Sequence, residues 1–221
     1  MNRSLLMVVT LVVALGAVGA IWFVKQAPEP GPGISAASTQ DADIDTSVVL
    51  EMSIGIPDAK VTVIEYASFT CPHCKTFHSS VLKDLTRDYI DTGKVNFIYR
   101  EVYFDRFGLW AGIIARCGGP DRYFGIADLI YEQQSEWTAS SDPAVIAGNL
   151  RQIGKSAGLT DAKLDVCLND NDKAQAMVAL YQENAQTDGI NSTPSFVING
   201  EKFGNMNYAD FAATLDAKLA E

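Results

Sequence analysis

Two cysteines separated by two residues, Cys71-Pro72-His73-Cys74, stand directly behind a run of β-branched and apolar residues, Val61-Thr62-Val63-Ile64-Glu65-Tyr66. That adjacency narrows the folds open to the chain more than any other feature. The run reads as a buried strand interrupted by one charge, Glu65. Behind the motif, Phe77, Val81, Leu82 and Leu85 recur at helical spacing to about Tyr89. Cys71 is then expected at the amino terminus of a helix, where free backbone N–H groups and the helix dipole favour an anion. Pro72, in the first turn, gives up no donor that the helix needs. His73 is expected to add positive charge or a hydrogen bond near the sulfur. These influences lower a thiol pKa, and a stabilised thiolate favours the dithiol, which makes the corresponding disulfide oxidising. Cys74, one turn along, is expected to be buried and to serve as the resolving thiol. Zinc or a purely structural bridge are the plainer uses of such a pair. Zinc takes four ligands, and Cys71, Cys74, His73 and His78 are the only local supply, with His73 inside the chelate itself.

The rest of the chain orders itself around this unit. Val48 to Ser53 reads as a first strand, Pro57-Asp58 as turn material and Val95 to Tyr99 as a strand parallel to the first run, completing a βαβ unit. From about Asp105 to Asp188 only helical patterns occur. Trp110, Ile113, Ile114 and Cys117 share one face, and Phe124, Ala127 and Ile130 another. Ser141-Asp142-Pro143 opens a helix carrying Ile146, Leu150 and Ile153, and Thr160-Asp161 opens one carrying Leu164, Cys167 and Leu168. Met177, Leu180 and Tyr181 belong to a last helix, stopped at Gly189. Trp110, Phe124 and Tyr181 read as core residues. Ser195 to Ile198, the hairpin signal Asn199-Gly200 and Glu201 to Phe203 follow. Tyr208, Phe211, Leu215 and Leu219 then mark a carboxy-terminal amphipathic helix. The fold class is α/β, ordered βαβ, helical insertion (about 105–189), ββα.

Ahead of residue 47 the composition changes. Met1-Asn2-Arg3-Ser4 is a short basic opening, and Leu5 to Val24 is apolar without a charge. Such a run spans about 30 Å as a helix, the thickness of a bilayer's hydrocarbon core. A cleaved signal has a shorter apolar region, of about 7–15 residues, although Ala17, Val18, Gly19 and Ala20 supply small residues for cleavage. Residues 1–25 are thus a membrane anchor or a signal peptide; the expected orientation has Arg3 and the terminal amine inside and the remainder exported, with Lys25 on the other flank making the charge bias slight. Residues 26–46, rich in Pro, Gly, Ser and Asp, read as a flexible linker to a domain over 47–221. The formal net charge is −10 without a basic run, which argues against nucleic acid as a partner. The four cysteines, in an exported chain, allow three disulfide connectivities.

The run Val63-Ile64-Glu65-Tyr66-Ala67-Ser68-Phe69-Thr70-Cys71-Pro72-His73-Cys74 resembles the DsbA-like periplasmic dithiol oxidases, and the resemblance covers about residues 48–221. It implies a thioredoxin fold interrupted by helices, with the Cys71–Cys74 disulfide as redox centre and no other cofactor. It implies reduced, unfolded polypeptides as substrates, a DsbB-like membrane protein as oxidant, and a monomer. Glu65, six residues before Cys71, falls where the family has a buried acid implicated in proton transfer with the resolving cysteine. Desolvation in an apolar strand is expected to raise such a carboxyl's pKa; a water-facing edge carboxylate is the plain alternative. Thr193-Pro194 looks like the family's cis-proline loop, which sets a backbone edge beside the thiols where a substrate chain can pair. The best-known oxidases carry valine at the position of Thr193, and threonine occurs in isomerases and in some relatives. Some DsbA-like proteins have a further structural disulfide in the helical insertion, implied here for Cys117 and Cys167, against two free buried thiols. The alternative functions are a disulfide isomerase or reductase kept reduced by a membrane electron donor, and a non-catalytic chaperone or metal-binding module. Thr193 favours the isomerase, but residues 26–46 are too short to be an isomerase's dimerisation domain.

Overall fold

The computed structural model describes residues 44–221. Its frame is a five-stranded sheet in the order β1-β3-β2-β4-β5. β2 (Val61–Ala67) is central and pairs parallel with β3 (Val95–Glu101), Val61 opposite Val95 and Ala67 opposite Glu101. β1 (Met52–Ile54) runs antiparallel to β3, β4 (Ser195–Ile198) antiparallel to β2, and β5 (Glu201–Phe203) antiparallel to β4. A strand covered on both faces needs apolar residues at successive positions, and Val61, Val63, Tyr66 and Ala67 are all buried. The crossover from β2 to β3 is α1 (Pro72–Ser79), a break at Ser80, α2 (Val81–Leu85) and a π-helical turn at Thr86–Ile90. The β4–β5 hairpin turns on Asn199 and Gly200, both at positive φ (46° and 85°), as a two-residue turn matching the strand twist requires.

Between β3 and β4 lie six helices: α3 (Arg106–Cys117), α4 (Pro120–Glu132), α5 (Gln134–Trp137), α6 (Pro143–Ser156), α7 (Asp161–Leu168) and α8 (Asn171–Thr187). Their starts are local chemistry. Asp105, Asp142, Thr160 and Asp170 each accept a first-turn N–H from α3, α6, α7 and α8 respectively, and Pro120 and Pro143 occupy first-turn positions. α9 (Tyr208–Ala220) closes the chain and packs Phe211 and Leu215 into the core. There Phe211 meets Phe196 edge to face, with ring centroids 4.9 Å apart. Trp110, Phe124 and Tyr181 are partly buried and pack against the hydrophobic clusters.

Two elements differ from the sequence reading. The first strand is only Met52–Ile54; Thr46–Val48 is a 3₁₀ turn, because Asp45 captures the backbone N–H of Ser47 at 3.0 Å and leaves Val48 and Leu50 exposed. The four-residue helix α5 carries too few residues to show a helical period. Among the described residues no helix is long and apolar enough to cross a membrane. The apolar run Leu5 to Val24 and the linker through residue 43 lie outside the described residues.

Candidate active site

Cys71 is the residue that caps α1: its backbone is extended (φ −84°, ψ 119°) and Pro72 begins the helix. The loop leading to it, Ser68 to Thr70, is tied down from several sides. The Cys71 N–H donates to the Ser68 carbonyl at 3.0 Å. Gln134, from α5, donates from Nε2 to the carbonyls of Phe69 (2.7 Å) and Cys71 (3.0 Å). The Thr70 hydroxyl donates to Asp105, the cap of α3, at 2.9 Å. The helical insertion thus grips the strand–helix junction and fixes where the sulfur emerges. The Thr193–Pro194 bond is cis, and the Thr193 carbonyl accepts from Cys71 Sγ at 3.6 Å. Cys71 is partly exposed, Cys74 is buried, and both are free thiols.

The two sulfurs are electrostatically opposite. A hydrogen bond from the Cys74 thiol, the largest influence, holds the Cys71 pKa down to about 5. Partial burial opposes it, and a hydrogen bond from the Thr193 side chain and the backbone N–H groups of Cys74 and His73 add to the lowering. Of His73 it is the backbone that reaches the sulfur; its side chain is exposed. Burial pushes the Cys74 thiol far above the ordinary range, and the hydrogen bond to Cys71 and the Glu65 charge push it further. One thiol is poised as an accessible thiolate and the other is held as a buried thiol, the division of roles that thiol–disulfide exchange requires.

Beneath Cys74, on the central strand, Glu65 is fully buried, so it is neither a strand-end nor an edge carboxylate. Its Oε2 lies 2.9 Å from Nε2 of His78, itself buried on α1. The His78 ring stacks on Tyr131 with centroids 4.3 Å apart and meets Tyr99 edge-on at 5.4 Å. The Tyr99 and Tyr131 hydroxyls bond each other at 2.6 Å, and Tyr131 also donates to the Ser68 carbonyl at 3.2 Å. Sequence reasoning placed His78 only among possible zinc ligands and missed it as the partner of Glu65. The available signal was its position four residues after Cys74, on the same helix face. Among the described residues no cluster of three or more His, Cys, Asp or Glu is placed to hold a metal ion. Elsewhere, Cys117 at the end of α3 and Cys167 in α7 form a disulfide with Cα atoms 5.9 Å apart.

A thioredoxin family model matches residues 47–217. The chain belongs to the thioredoxin family. Within it the chain is DsbA-like. It is 33% identical over 172 residues to a Rickettsia bellii protein that carries the name of a candidate protein-disulfide oxidoreductase, a match covering 77% of this chain and 65% of that protein. The chain thus spans under two thirds of that relative's length. Among solved structures it is similar to alpha-DsbA1 of Wolbachia pipientis, with TM-score 0.72 and 26% identity over 79% of this chain and 96% of that one. It is also similar to a protein-disulfide isomerase of Novosphingobium aromaticivorans, with TM-score 0.70 and 26% identity over 77% of this chain and 98% of that one. The helical insertion of this thioredoxin fold supplies Gln134, Asp105 and Tyr131 to the surroundings of the thiol pair.

Proposed function

We propose that this thioredoxin-family protein is an exported dithiol oxidase that introduces disulfide bonds into secreted or periplasmic polypeptides through Cys71 and Cys74. The carrying observation is the asymmetric pair: a partly exposed thiol held down to about 5 at the start of a helix, backed by a buried thiol pushed far up. A substrate thiolate attacks Cys71 Sγ of the oxidised pair, the Cys71–Cys74 bond breaks, and Cys74 leaves with the electron pair and takes a proton. A second substrate thiolate then attacks the substrate sulfur of the mixed disulfide and expels Cys71 as a thiolate. The substrate has lost two electrons and the enzyme has gained them. Cys71 is a good leaving group because its pKa is low. Thr193, with its carbonyl on Cys71, and Pro194 form the edge against which the substrate backbone lies. A DsbB-like membrane protein reoxidises the dithiol. Residues 1–25 anchor or export the chain, residues 26–46 are the linker, the domain at 47–221 acts as a monomer, and Cys117–Cys167 is structural.

The test is the equilibrium reduction potential of Cys71–Cys74 in a glutathione series, with Cys117–Cys167 intact. A potential well above the glutathione couple supports the oxidase. One near thioredoxin's, about −270 mV, refutes it in favour of an isomerase or reductase kept reduced by a membrane donor. Two observations favour that second reading: Thr193 ahead of Pro194 and the likeness to the Novosphingobium isomerase.

A further inference from the structure

Cys74 must gain a proton each time it leaves Cys71 and lose one each time it attacks, yet it is buried and so is Glu65 beside it. Any proton that Glu65 hands over has to be replaced from water without crossing the Cys71 face, which a substrate covers during the reaction. His78 offers a second way out. Its Nε2 holds Glu65 Oε2 at 2.9 Å, and its Nδ1 is buried with no hydrogen-bond partner among the described residues. His78 is also among the residues that line a cleft of about 450 Å³ between α1–α2 and α4. Tyr131, Lys75, Lys83, Asp128 and Glu132 form most of the remaining wall; Cys71, Thr193 and Glu65 do not line it. Lys83, Asp128 and Glu132 are exposed, which opens the cleft to water.

The titratable groups around the ring complete the picture. From β2 it meets Glu65, from β3 Tyr99, and from α4 Tyr131, with Asp128 of α4 near enough to feel its charge. Tyr99 and Tyr131 are held well above ordinary tyrosine values, first by burial, and stay neutral. An imidazole is the one neutral side chain that accepts a proton on one nitrogen and releases another from the opposite side of the ring.

We propose that His78 is a proton relay between Glu65 and water in the α1–α4 cleft, refilling and emptying Glu65 while substrate is bound over Cys71. This rests on the reading of Cys71 and Cys74 as an exchanging pair with Glu65 serving Cys74. When Cys74 leaves with the electron pair of the broken S–S bond, Glu65 gives it one proton. His78 passes its Nε2 proton to Glu65 and takes one from cleft water at Nδ1. The reverse sequence deprotonates Cys74 when it attacks a mixed disulfide on Cys71. His78 touches no reacting sulfur; it acts as a positioning and relay residue through Glu65.

The test uses the full-length chain with Cys71 loaded as its glutathione mixed disulfide, and follows resolution by Cys74 across about pH 5 to 8. His78→Gln keeps a hydrogen-bonding side chain beside Glu65 but transfers no proton through it. The expected result is an equilibrium constant with glutathione within about threefold of wild type. Resolution is expected to slow by about tenfold or more, within the range of general acid–base effects. A second variant, His78→Ala, is expected to regain rate on addition of free imidazole, which a merely packing ring would not confer. Wild-type resolution rates and pH profile in His78→Gln, alongside slow resolution in Glu65→Gln, overturn the relay. Parallel loss of equilibrium constant and rate in both variants, without imidazole rescue, also overturns it and leaves His78 a packing residue. Failure of the oxidoreductase reading looks different: the wild-type chain itself would then not exchange with glutathione.

Discussion

Removing the Cys74 thiol while keeping Cys71 isolates the interaction that most lowers the Cys71 pKa to about 5. In Cys74→Ala the S–H donor to the Cys71 thiolate disappears. Hydrogen bonds to charged groups contribute about 1.5–3 kcal/mol; sulfur is a weak donor and Cys71 is partly exposed to screening water, so the lower end, about 1.5 kcal/mol, applies. At about 1.4 kcal/mol per pKa unit, the Cys71 pKa is expected to rise by about one unit. Cys74→Ser, whose hydroxyl still donates, is expected to stay within about half a unit of wild type. Thiolate ultraviolet absorbance against pH measures both variants, and alkylation rates check the assignment to Cys71. If the alanine and serine variants titrate together, the hydrogen bond from Cys74 is not what holds the thiolate, and the backbone N–H groups of α1 carry the effect. The same shift has a thermodynamic sign. Because the folded pKa lies below the ordinary thiol value of about 9, Cys71 stabilises the reduced fold fully above about pH 9, and that contribution is lost as pH falls through about 5. The oxidised form has no such titration. Reduction therefore takes up one proton above about pH 5 and two below it, so the potential should change from about −30 to about −59 mV per pH unit there.

Three substitutions test what holds the fold and the active-site loop in place. Replacing both Cys117 and Cys167 with alanine opens a closure of 50 residues, worth about 4 kcal/mol in the chain-entropy model, measured as a shift in the urea midpoint. Arg116→Met strips the buried Glu101 carboxylate of its guanidinium partner, bound through Nε at 2.7 Å and through Nη2; the expected loss is about 3–5 kcal/mol, read by denaturant unfolding, and a loss below about 1 kcal/mol would mean that the Tyr123 hydroxyl, which donates to Glu101 at 2.7 Å, and water satisfy the acid. Gln134→Ala leaves the Phe69 and Cys71 carbonyls without their side-chain donor; a loss of about 1–3 kcal/mol is expected, with faster amide exchange in the Ser68–Cys71 loop, and unchanged exchange there would show that the loop does not depend on α5.

What was legible in the sequence was local. The Cys71–Cys74 motif at a strand–helix junction, the Asn199-Gly200 hairpin and the helices with Asp142-Pro143 and Thr160 starts rest on periodicity, capping and allowed backbone angles. Those depend on neighbours along the chain. The first strand failed where a three-residue capped turn displaced it, and α5 was too short for a period to register. The central placement of β2 was only implied by its apolar run. Glu65 projects from a sheet face that His78 of α1 covers, with Tyr131 of α4 stacked on that ring, so it has no exposed side to turn to.

Tertiary structure alone decided which polar groups meet. His78 and Glu65 are 13 positions apart, Gln134 and Cys71 63 apart, and Arg116 and Glu101 15 apart. The separations themselves predict none of these pairings; the spacing of His78 from Cys74 puts both on one helix face, but which strand that face lands on is set by packing. A reactive cysteine at the start of a helix is a matter of local chemistry, since the strand, the proline and the helical period all lie within one short stretch. The grip on that cysteine from α5, the Thr193 carbonyl against its sulfur and the histidine beside its buried acid required the insertion and β4 to fold back onto β2. A buried carboxylate must find its partner in space, and here the partner is set by how α1 packs over the central strand.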